Sequence, residues 1–148
     1  MIVTEFEGWL TFLQSRGGDR AVRQYAVWVA RQTAPTNSSH RSLLRNIEDA
    51  CVAESSPLPI CADLRKSFSS TAMAAQAVGI SHGSHSAASF LACYACTCES
   101  ARDAASEALR WTMEWYKLVM GTEHQDYFRQ HLVDKMMRMF QNGGWSLN

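Results

Sequence analysis

Apolar residues recur along most of this chain at three- and four-residue spacing, the period of a helix packed on one face. Phe6, Trp9, Leu10 and Leu13 share such a face, and Thr4 followed by Glu7 has the form of a capping box ahead of it. Gly17-Gly18 ends this helix, and Asp19 can cap a second carrying Val22, Tyr25, Ala26 and Val29. The stretch Ala34 to Ser39 has the composition of a loop. A third helix then turns Leu43, Leu44, Ile47, Ala50 and Cys51 inward. Ser55-Ser56-Pro57-Leu58-Pro59 stops it, because proline lacks a backbone donor and restricts the residue before it.

Beyond these prolines the pattern changes. Between Ser55 and Ser100 the charged residues are Asp63, Arg65, Lys66 and Glu99, and alanine, serine and cysteine dominate. The expected elements are a helix from about residue 60 to 78, a break at Gly79 and Gly83, and a helix from about residue 84 to 98. Helices with so little charge have no evident solvent face, which predicts a central pair with neighbours on several sides. Small residues at their contacts permit close axial approach. Ser100 or Glu99 then opens a helix carrying Ala104, Ala108, Trp111, Trp115, Leu118 and Val119, closed by Gly121. A last helix runs from about Glu123 to Phe140, with Thr122 as its cap and Gln141 to Gly144 as its stop. No stretch alternates in the manner of a strand. The pattern therefore predicts an all-α bundle of six to seven helices in a single domain, residues 1–148, with a sub-boundary available at 55–59.

Composition adds limits. The chain has 148 residues, 47% of them hydrophobic and 19% charged, with 14 basic and 14 acidic side chains. That balance belongs to a globular protein, not to a charged tail, and it lacks the basic excess on which bulk nucleic-acid binding rests. There is no uncharged apolar run of membrane-spanning length. Glu5 and Glu7 near the start do not suit a secretory signal, and five cysteines, an odd count, fit reduced thiols. The expectation is a cytoplasmic protein with no membrane partner and no cofactor.

Signatures of the common enzyme classes are missing: no phosphate loop, dinucleotide turn, nucleophile elbow or His-Glu-x-x-His helix occurs. Cys61, near a helix start, is the best-placed thiol, but no nucleophile turn surrounds it. His82 and His85, followed by Cys93, Cys96 and Cys98, have spacings seen in zinc sites. A single helix from His85 to Cys98 would spread them over about 20 Å, too far for one tetrahedral ion. Buried thiols are the simpler reading, and any metal would fall to His82, His85, Cys93 and Cys96. Trp111, Trp115, Tyr116 and the methionines 136, 137 and 139 read first as core and second as a partner surface. Arg129, Lys135 and Arg138 read as a solvated helix face.

The run from Ala77 to Ala95, with Gly79, His82, His85, Ala87, Ala88, Tyr94 and Ala95, resembles a family of small all-helical immunity proteins of bacterial polymorphic-toxin systems. A later tryptophan, Trp111 or Trp115, is similar in position, and the likeness covers roughly residues 62–116. This chain departs from the family in its serines and cysteines and in closer histidine spacing. The resemblance implies a cytoplasmic protein that neutralises a toxin by binding and performs no chemistry itself. An inhibitor of a host defence complex, as phages encode, is a near variant. The residues expected at the partner are His82, His85, Trp111, Trp115, Arg129, Lys135 and Arg138. A cationic nuclease as target would require an acidic patch on this chain. The rival readings are an oligomeric structural subunit and a metal-binding protein using His82, His85 and the nearby thiols.

Overall fold

A computed structural model describes residues 2–53, 56–82 and 84–141, and the side chains of 6–53, 56–77 and 84–139. Six helices and no strands occur among the described residues: α1 (Ile2–Arg31), α2 (Ser38–Val52), α3 (Leu58–His82), α4 (His85–Ala95), α5 (Ala101–Met120) and α6 (Gln125–Gln141). The all-helical expectation is met.

The first two expected helices are two arms of α1, joined at Gly18, whose φ of 71° and ψ of −170° break the helical path. That region of backbone space is nearly closed to residues with a Cβ. α1 already runs at Ile2, so the expected cap at Thr4 lies inside the helix. The second arm is the spine of the core: Val22, Tyr25, Ala26, Val27, Val29 and Ala30 are all fully buried. α5 lies along both α1 and α4. Its contact stripe is Ala101, Ala104, Ala105, Ala108 and Leu109, so small side chains let the axes approach. Arg102 fastens the start of α5 to the first arm, donating to Glu7 Oε2 at 2.8 Å, Thr11 Oγ1 at 3.2 Å and Gln14 Oε1 at 3.3 Å. α6 closes over α1 and α5, burying Leu132, Val133, Met136 and Met139.

The small-residue pair does not behave as a pair. α4 is central, with every residue from Ala87 to Cys93 buried. α3 lies at the edge, packed on α4 and α2 through Cys61 and Ala72, with Ile60, Leu64, Phe68 and Ala75 half-covered in the same stripe. Ser67, Ser69, Ser70, Thr71 and Gln76 are exposed along its other side. The expectation of two central helices fails because hydroxyl and amide groups hydrate a surface without charge, so scarcity of charge does not imply burial. Gly79 does not break α3, which continues to His82. The expected break at Gly83 lies outside the described residues; α4 begins at His85, and Ser84 caps it by accepting from Ala87 N at 3.2 Å.

α2 ends at Val52, capped by Ala53, and residues 56–59 open α3. Ser56 Oγ accepts from Leu58 N, and Cys61 N donates to Pro57 O. Proline in a first helical turn removes no intrahelical bond. A single buried cluster contains both Cys51 of α2 and Cys61 of α3, so the core continues across residues 55–59. Among the described residues, no helix is long and apolar enough to cross a membrane.

Candidate functional site

Four of the cysteines are buried and the fifth, Cys98, is half-buried. Burial disfavours a thiolate. It pushes Cys51 up to about 11 and Cys93 up to about 12, and raises Cys61, Cys96 and Cys98 as well. Arg23 pulls the other way at Cys51, Cys61, Cys96 and Cys98 without overcoming burial. Cys61, the best-placed thiol by sequence, is therefore a protonated core group whose Sγ donates to Cys96 O at 3.9 Å.

Arg23 itself is only 1% exposed. Its Nη1 donates to Cys96 O at 2.8 Å and Cys98 O at 2.6 Å, and its Nη2 to Glu99 O at 2.9 Å. These carbonyls follow the end of α4, where the helix dipole and unpaired acceptors favour a cation. The arginine is a structural clasp between α1 and the α4–α5 turn.

The residues expected at the partner are dispersed. His85 is exposed on the first turn of α4, while Cys93 and Cys96 are wholly buried, so the structure does not gather them into one ligand set. The His82 side chain lies outside the described residues. No group of three or more His, Cys, Asp or Glu side chains could hold a metal among the described residues. Trp111 is buried at 8% exposure beneath Arg110, whose guanidinium carbon is 4.8 Å from the ring. It borders a groove of about 350 Å³ between α3, α4 and α5, with Ser69, Met73 and Tyr94. Arg129 lies 5.9 Å over the Phe6 ring and Lys135 Nζ 5.4 Å over the Trp28 ring, so both cover aromatics of α1. The solvated-face reading holds for Arg138, which is exposed, and not for these two half-buried residues.

His85 and Trp115 do meet. They line a cleft of about 460 Å³ where the α1–α2 loop, the start of α4 and the last turns of α5 converge. Thr33, Pro35, Asn37, His40, Ser86 and Val119 complete much of its wall. His40 was not expected here. Its ring centroid lies 4.6 Å from that of Phe90, and burial lowers its pKa, favouring the neutral imidazole. Thr33 and Ser89 share a buried 2.7 Å hydrogen bond, which ties the loop to α4. Ala34 within the loop has φ of 47°, an uncommon conformation for a residue with a Cβ.

Beyond this cleft, α5 ends and α6 begins with exposed apolar side chains. Leu118, Val119, Met120 and Tyr127 are 38%, 46%, 63% and 83% exposed. Leu118 and Val119 continue the apolar spacing of α5 from Trp111 and Trp115. They protrude because α6 begins only at Gln125, after a turn at Gly121, and the ring stack of Tyr116 on Phe128 closes the helix pair short of the tip. On the other side of the loop lies a second cleft of about 460 Å³, lined by Arg31, Pro35, Arg41, Leu44, Arg45 and Glu48. Pro35 borders both clefts.

No family model, curated protein or solved structure matches this chain.

Proposed function

We propose that this protein is a non-enzymatic inhibitor that works by binding another protein. The observation that supports the reading is the exposed apolar end of α5, Leu118, Val119 and Met120, which continues into the cleft at Trp115 and Val119, together with exposed Tyr127 at the start of α6. Large apolar groups exposed together are characteristic of contact surfaces, and tyrosine, tryptophan and methionine are enriched at interface centres. The tip stands on two helices whose opposite faces are anchored in the core, so little ordering is required when a partner arrives. The resemblance to immunity proteins supplies the most specific version: the partner is a toxin, encoded beside this chain and neutralised by capping its working surface. An inhibitor acting on a defence complex would use the same surface in the same way.

The test is to combine the protein with the purified product of the adjacent gene and measure binding and activity. Binding with loss of the partner's activity is expected, weakened at least about tenfold by the double variant Met120→Ser with Tyr127→Ser. Absence of binding, or binding that the double variant leaves intact, would reject the proposal. Light scattering on the protein alone separates the oligomeric-subunit reading: self-association lost in the same variant would mean that the tip joins copies of this chain.

A further inference from the structure

The arginine cleft, across the α1–α2 loop from the His85–Trp115 cleft, has an uneven charge. Arg31 Nη1 binds Glu48 Oε2 at 2.6 Å. Arg41 and Arg45, one turn apart on the exposed side of α2, form no ion pair among the described residues. Three guanidinium groups thus face one carboxylate around a floor of Pro35 and Leu44. A chain of zero net charge has concentrated a local excess of two positive charges here. Guanidinium groups favour planar, two-point acceptors, namely carboxylates and phosphates.

Resting on the binding function proposed above, we infer that this cleft receives an acidic segment of the protein partner, while the apolar tip takes that partner's hydrophobic contact. Carboxylates suit the site better than a nucleic-acid backbone does. The chain has no net positive charge from which to build the extended basic surface that a nucleic-acid backbone needs, and the apolar floor of Pro35 and Leu44 suits the stems of aspartate and glutamate side chains. Because Pro35 borders both clefts, a single partner segment crossing the α1–α2 loop reaches both. The inference also sets the sign of the segment that meets this loop: an acidic one is attracted there and a basic one is repelled.

Poly-L-glutamate is the probe for the charge, and a single-stranded DNA oligomer is the rival polyanion. Wild-type protein is expected to bind poly-L-glutamate at low ionic strength, more weakly as salt rises. Arg41→Glu with Arg45→Glu should weaken binding at least about tenfold. Glu48→Gln should tighten it, a change that mere damage to α2 would not produce. Circular dichroism of the exposed-site variants checks that α2 is intact, and Arg41→Gln with Arg45→Gln serves if the reversal perturbs it. No binding of poly-L-glutamate, equal binding by the arginine variants, or tighter binding of the DNA would overturn the inference. The tip variant Met120→Ser with Tyr127→Ser should leave poly-L-glutamate binding unchanged. Loss of partner binding in that variant alone therefore reports on the proposed function and not on the cleft.

Discussion

Arg23 brings a positive charge into the core with carbonyls, not a carboxylate, as its partners. Its removal should be severe, since it strands acceptors at the end of α4 and leaves a void. Arg23→Met is expected to cost about 3 kcal/mol or more in urea unfolding. A loss below about 1 kcal/mol would show that the turn finds other donors. The thiols make a second prediction. Their folded values lie above the ordinary 9.0, so the folded protein retains protons that the unfolded chain releases. This stabilisation is complete below pH 9 and is lost as pH rises through about 11 and about 12. Stability should fall between pH 9 and 12, by up to about 1.4 kcal/mol per pH unit for each buried thiol. Cys93→Ala should flatten that fall, and an unchanged slope would contradict the assignment. The burial of cysteine was legible from its chemistry and count. Arg23 was not, because its partners lie more than 70 positions away and are backbone atoms, which carry no residue signature.

Among the elements, the two glycines with unusual backbone mark real boundaries. Gly18 kinks α1, and Gly121 ends α5 with φ of 84° and ψ of −172°. Nothing lies within 4 Å of a Cβ built at either position, so any cost of alanine there comes from the backbone alone. Gly121→Ala should lower stability by about 1–3 kcal/mol in thermal or urea unfolding. No loss would mean that the turn relaxes to another conformation. Gly79 reads much the same in sequence, yet α3 passes through it. A glycine interrupts a helix only where tertiary contacts reward the new direction, as the packing of the second arm does after Gly18. The inward faces of α1 and α2 were legible from spacing, as Leu10, Leu13, Val22, Tyr25, Leu43, Leu44 and Ile47 show at 0–1% exposure. α5 was legible only in its first half. Its apolar stripe continues past the point at which α6 covers it, and periodicity does not record where a neighbour ends.

At the scale of the molecule, the second arm of α1 and α4 carry the core, and the α1–α2 loop and the α5–α6 tip carry the exposed chemistry. His85 and Trp115, singled out by the sequence, fall in the cleft between these features. Arg129 and Lys135 instead cover α1 aromatics, because α6 packs with its basic side chains across Phe6 and Trp28. The arginine cleft was not legible, since Arg31 and the pair Arg41 and Arg45 stand on different helices and meet only where α1 packs against α2. The central claim is that the tip binds a protein partner, and titration calorimetry against the product of the adjacent gene tests it most directly. The account predicts saturable one-to-one binding by the wild type, weakened at least about tenfold in Met120→Ser with Tyr127→Ser while the unfolding midpoint is preserved. Heat signals no larger than dilution, or equal affinity for the wild type and the tip variant, would contradict it.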